Sequence, residues 1–96
     1  MKKGYWVVTF RSVSDRGGVE AYAAESSPVI ERLGGRVLTV GMPASNHEAG
    51  LHQWAAVVEF ESVDAAEAAY RSQPYQASLR HLEGAAERDV RIMEGR

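Results

Sequence analysis

His47, Glu48 and His52 spell H-E-x-x-x-H, one residue longer than the spacing with which a helix presents two histidines to zinc and a glutamate as base. The extra residue turns the second histidine off the shared helical face, and Gly50 between them disfavours a helix. The pair therefore reads as a loop residue and a strand-edge residue, and no metal ligation is expected of it. A second group follows from strand alternation, which puts Tyr5, Thr9, Arg11, Glu59 and Arg91 on one sheet face. There Glu59 could act as a base or orient a ligand while Arg11 holds an anion. Equally, Glu59 and an arginine could simply satisfy each other across neighbouring strands, since a buried carboxylate needs a partner. The candidate bases are Glu59 and His52, and the candidate ligand contacts are Tyr5, Thr9, Arg11, Trp54 and Arg91. Trp6, Phe10, Trp54, Phe60, Tyr22 and Tyr70 offer the large apolar area that a core needs, and Trp54 also suits a pocket wall or a subunit contact. Tyr75 and Arg80 are placed near the rim of the fold, with Arg80 solvated.

These residues must be positioned by a small set of elements. Residues 5–11 (YWVVTFR) are rich in aromatic and β-branched types and make a first strand. Ser14 and Asp15 can cap a helix whose apolar positions Val19, Tyr22, Ala23, Ser26, Ile30 and Leu33 recur at helical spacing. Pro28 is expected to kink or break it between Ser26 and Pro28, and Gly34-Gly35 to stop it. Residues 36–40 (RVLTV) give a second strand, a polar loop follows from Gly41 to Gly50, and residues 52–60 give a third. Ser62 sits at a cap position before Val63, Ala66, Ala69 and Tyr70. Residues 75–86 suggest a further helix and residues 90–94 a last strand, so that strands are expected within 4–11, 35–41, 52–60 and 88–94.

This order is that of a ferredoxin-like βαββαβ unit of the α+β class: one four-stranded antiparallel sheet with its helices on one face, filling residues 1–96 as a single domain. By alternation the opposite face carries Tyr5, Val7, Val37, Ala55, Val57 and Met93, mixed with Thr9, Arg11, Thr39, Glu59 and Arg91. That face is too apolar to leave open, and a second copy of the chain is the simplest cover, giving a homodimer.

Composition narrows the functional classes. The chain is 45% hydrophobic and 25% charged, with a net charge of −2 and no basic run after Lys2-Lys3, which argues against a nucleic-acid partner. No apolar run is long enough to cross a bilayer, and no secretory leader is expected, because Arg11 and Asp15 interrupt the stretch after the lysines. Without cysteine, thiolate catalysis, disulfides and cysteine-held metals are excluded, and a cytoplasmic location is the expectation.

The chain resembles the proteins grouped as domain of unknown function 1330, within the dimeric α+β barrel superfamily. The resemblance is carried by K-G-Y-W at residues 3–6, G-G-R at 34–36, V-E-F-x-S at 58–62 and A-A-Y at 68–70. It continues with S-x-x-Y-Q at 72–76, A-A-E-x-D at 85–89 and E-G at 94–95. It implies the dimeric barrel. Glu61 replaces a proline usual in the family's F-P-S, and the proline of S-P-E-Y is displaced by one place to Pro74. Many relatives have an arginine where this chain has Trp54, so an anion held there in relatives would lack that contact here. The superfamily holds cofactor-free monooxygenases, isomerases and haem enzymes, so the resemblance alone selects no activity. The reading is a homodimer with a small-organic-molecule pocket between sheet and helices and no cofactor. Its alternatives are a cofactor-independent, monooxygenase-like or isomerase-like enzyme with Glu59 or His52 as base, or a purely structural dimer.

Overall fold

The computed structural model describes residues 1–96. Strand β1 (Gly4–Val13) is followed by α1 (Arg16–Arg32), β2 (Arg36–Gly41), β3 (Ala55–Phe60), α2 (Val63–Arg71), α3 (Gln73–Ser78), a 3-10 turn (Leu79–Leu82) and β4 (Ala86–Glu94). The sheet order is β2-β3-β1-β4 with every neighbouring pair antiparallel. This is the expected α+β arrangement.

Alternation along β1 sets the two faces. Trp6, Val8 and Phe10 are buried, whereas Tyr5, Val7 and Thr9 are only half-buried and Arg11 is exposed. The register carries this division across the sheet. Trp6 lies opposite Val58 and Ile92, and Val8 opposite Ala56 and Val90; Tyr5 lies opposite Glu59 and Met93, and Val7 opposite Val57 and Arg91. Trp6, Phe60 and Tyr75 are the largest fully buried side chains, and the Trp6 indole N–H donates to the Ala66 carbonyl at 2.9 Å, tying sheet to α2. Helix α2 packs on β1, β3 and β4, whereas α1 packs on α3 and the 3-10 turn. The remaining face of the sheet has no helix on it.

The helix ends follow their side chains. Asp15 accepts from the Gly17 N–H and Ser62 from the Ala65 N–H, each filling one of the orphan donors of a first turn. At the other end of α1, the Gly35 N–H reaches back to the Ile30 carbonyl while Gly34 adopts φ +88°, a left-handed closure suited to glycine.

Six expectations are corrected. The expected break in α1 is absent, since the helix runs on through Pro28. The proline and Ala24, whose carbonyl loses its donor, are both exposed, so water can take that carbonyl. Val37 faces the helices opposite Val58, because an irregularity between Val37 and Thr39 shifts the alternation of β2 by one residue. The expected helix over 75–86 is instead the short α3 and a 3-10 turn, ended by Gly84 at φ +69°. Strand β4 then begins early, where the Ala85 carbonyl accepts from Ser14 and Asp15 at the end of β1. Tyr75 is fully buried, far from the rim position expected of it. Strand β3 begins at Ala55, later than residue 52, since the Gln53 N–H closes a tight local bond on the Leu51 carbonyl.

Candidate functional site

The helix-facing side of the sheet is not filled everywhere. Because α1 leans on α3 and the 3-10 turn, a cavity of about 220 Å³ remains between α1 and strands β1–β3. Its floor includes Trp6, Val8, Phe10 and Val58, its roof Val19, Tyr22 and Ile30, and Val37, Val40 and Trp54 extend it toward the β2 edge. Trp54 leans on Phe10 with ring centroids 5.9 Å apart. Two charged side chains line the cavity, Arg88 and Glu20, of which Glu20 is exposed.

Arg88 is placed by β4 pairing. It lies opposite Phe10, on the same face as Val90 and Ile92, so its guanidinium points under the helices. It sits 5.0 Å from the Tyr22 ring centroid and 5.7 Å from that of Phe10, within the range of cation–π attraction. Its Nη1 donates to the Tyr22 hydroxyl at 3.1 Å and its Nη2 to the Tyr75 hydroxyl at 3.2 Å. The two hydroxyls are themselves 2.6 Å apart. Burial pushes the Tyr75 phenol well above its ordinary range, so it stays protonated and able to donate. No carboxylate pairs with Arg88. The other arginines differ: Arg80 forks onto Glu25 with two 2.7 Å bonds, and Arg11 holds Asp89 at 2.8 Å.

The residues singled out by sequence divide between two other places. Tyr5, Thr9, Arg11, Glu59 and Arg91 lie on the uncovered sheet face, as alternation implies. Glu59 accepts from the Tyr5 hydroxyl at 3.0 Å and pairs with no arginine; this hydrogen bond, followed by partial burial, raises the Tyr5 phenol. The arginines of that face turn to Asp89 instead, with Arg91 at 3.8 Å, and Arg11 chiefly holds its carboxyl below the usual carboxylate range. His52 and Trp54 meet Arg11 at an open cleft of about 550 Å³ between the end of β1 and the approach to β3. His52 Nδ1 accepts from the Asn46 amide N–H at 2.8 Å and His47 contacts Ser45 at 3.3 Å, so the two histidines are held by separate partners. No group of three or more His, Cys, Asp or Glu side chains gathers where an ion would sit. Glu59 lies within β3, whereas His52 precedes the strand and lines the open cleft, so the two are not brought together.

No sequence motif brings Arg88, Tyr22 and Tyr75 together. Two signals for the cluster were present. Val90 and Ile92 face inward, and the same parity carries Arg88 with them. Tyr22 and Tyr75 are aromatic residues whose polar tips need partners once buried.

The chain belongs to the family described as Domain of unknown function (DUF1330), whose model matches residues 3–96. No curated protein matches it. Among solved structures, it is similar to a protein of unknown function from Rhodopseudomonas palustris, with TM-score 0.74, 20% identity, and coverage of 99% of this chain and 83% of that one. It is similar to SnoaB, a cofactor-independent oxygenase from Streptomyces nogalater, with TM-score 0.72, 12% identity, and coverage of 100% and 95%. It is also similar to a dimeric ferredoxin-like protein of unknown function from Thermobifida fusca, with TM-score 0.67, 16% identity, and coverage of 97% and 91%. At these identities the likeness speaks for the fold, not for an activity. No helix is long and apolar enough to cross a membrane.

Proposed function

We propose that this DUF1330 protein is a single-domain homodimer that binds a small organic molecule in the cavity between its sheet and α1. The observation that carries the reading is a mostly apolar cavity with one half-buried cation, Arg88, that has no acidic partner. Concave apolar walls with a few convergent polar groups are the usual form of a small-molecule site. A cation withdrawn from water without a counter-charge costs stability, which is an ordinary trade at a site kept for function.

Dimerisation is supported by the uncovered sheet face, where Val7, Ala55, Val57 and Met93 lie without a helix above them, and by the dimeric Thermobifida fusca neighbour. Covering that face with a second copy buries apolar side chains at about 1.5–3 kcal/mol for each large one fully removed from water. In this reading Tyr5, Thr9, Arg11, Glu59 and Arg91 serve the subunit seam, and Trp54 serves the ligand. An enzyme using Glu59 or His52 as base is less supported, because neither lines the cavity. A purely structural dimer is less supported because the interior is open. The cysteine-free sequence fits a reducing, cytoplasmic location.

Native mass spectrometry of the protein purified from its source tests the proposal. The expected result is a dimer carrying a retained small molecule that gentle denaturation releases. A ligand-free monomer at micromolar concentration, unresponsive to a library of small apolar compounds, would overturn it.

A further inference from the structure

We infer that the cavity selects a small monocarboxylate, with Arg88 and the Tyr22 hydroxyl gripping its charged end; this rests on the ligand-binding reading above. A guanidinium carries five N–H donors in a planar fork. Arg88 uses one from each Nη on the tyrosines, and its Nε makes no hydrogen bond within the chain. No side-chain nitrogen or oxygen sealed from solvent lacks a partner, so Nε is not sealed off. The fork therefore has donors left for an acceptor that the protein does not supply.

The tyrosine pair adds one more donor. Two hydroxyls 2.6 Å apart share a single hydrogen bond, in which one donates and the other accepts. The accepting hydroxyl keeps its own proton, and no protein acceptor takes it. Tyr22 lines the cavity and Tyr75 does not, so the arrangement that serves a ligand has Tyr75 donating to Tyr22 and Tyr22 donating onward. A guanidinium with spare N–H donors and a phenolic O–H, both lining the cavity, suit an anionic oxygen, since charge-assisted hydrogen bonds are the stronger kind.

The rest of the cavity sets size and charge. About 220 Å³ is below the range usual for drug-sized ligands, which calls for a small body. Val8, Val19, Ile30 and Val58 offer it no polar contact. Glu20 is exposed on α1 and lines the same cavity, so a second negative charge on the ligand would be repelled.

The test uses benzoate against its neutral isostere benzamide, with indole as an apolar probe, followed by NMR on native protein and on Arg88→Met, Arg88→Lys and Tyr22→Phe. The native protein should bind benzoate at least about tenfold more tightly than benzamide, with shifts at the Arg88 Nε resonance and the Tyr22 ring. Arg88→Met should remove that preference, with benzoate losing far more affinity than benzamide or indole. Arg88→Lys should keep part of it, and Tyr22→Phe should weaken benzoate alone; these variants carry the test if Arg88→Met does not fold. Equal binding of benzoate and benzamide in the native protein, or variants that leave the ratio untouched, would overturn the inference while leaving a ligand pocket in place. If none of the three probes shifts a cavity resonance at millimolar concentration, the pocket itself fails and the inference with it.

Discussion

Arg88 and Asp89 are neighbours on β4, yet they belong to opposite faces of the sheet and to different kinds of site. Asp89 lies on the uncovered face between two arginines, with a 2.8 Å bond from Arg11, and its charge is balanced there. Arg88 lies under α1 among aromatic rings, with only two phenolic oxygens as acceptors. A balanced, partly exposed pair is what a seam between subunits tolerates, because little charge is left without a partner. A half-satisfied cation in an apolar cavity is a poor structural element, and it makes sense as one half of a recognition pair. In the proposed reading the strand hands one residue to assembly and the next to ligand binding.

The sharpest way to separate the faces is to truncate adjacent aromatic residues of β1. Trp6→Ala should cost about 3–5 kcal/mol in urea unfolding, because a fully buried indole and its bond to Ala66 are lost. Tyr5→Ala, one residue away on the other face, should cost under about 1 kcal/mol of subunit stability, since its side chain is half-exposed and bonds only Glu59. Comparable losses for the two would erase the distinction. Next in size is Gly4→Ala. A Cβ there would run into the backbone of Ser62 and Val63, where nothing flexible can yield, and a loss of about 1–3 kcal/mol is expected by the same unfolding measurement.

A smaller effect, with an unusual sign, is expected at Arg88. Arg88→Met should leave the urea midpoint unchanged or raise it, because an apolar side chain of similar length replaces a half-buried charge that no carboxylate neutralises. A fall of more than about 2 kcal/mol would mean that the guanidinium is chiefly a structural brace. The smallest effect concerns Glu25, which joins α1 to the 3-10 turn. The hydrogen bonds from Arg80, then that from His81, hold its carboxyl at about 2, below its ordinary 4.5. A depressed acid favours folding above its unfolded value, so this contribution should be complete above about pH 4.5 and fade as pH falls toward 2. The group is still reached by water, so the change should be slight and weakened by salt. Thermal melts of native protein and Glu25→Gln between those pH values should converge at the acid end; parallel curves would contradict it.

Much of the fold was legible because alternation in YWVVTFR and AAVVEF leaves little choice of face, and because Ser62, Gly34 and Gly35 mark helix ends by local chemistry. Errors arose where tertiary context overrides local signals. Pro28 is tolerated because its helix face meets water. Val37 changes face because one irregularity shifts the alternation, and no residue type in RVLTV announces it. The site was the less legible part. Glu59, His52 and Arg11 drew attention as charged or titratable residues near strand ends, but their partners are Tyr5, Asn46 and Asp89. Arg88 was overlooked since its importance comes from register: only the pairing of β4 with β1 sets it opposite Phe10 and beside two tyrosines from distant segments.

The division of labour between the two faces can be tested most directly by sedimentation equilibrium on native protein, Val57→Asp and Arg88→Met at micromolar concentration. Val57 sits in the middle of the uncovered face, opposite Val7 and Thr39, so a charge there should disrupt assembly. The account predicts a dimer for the native protein and for Arg88→Met, and a folded monomer for Val57→Asp. A native monomer, or a Val57→Asp dimer as tight as the native one, would contradict it.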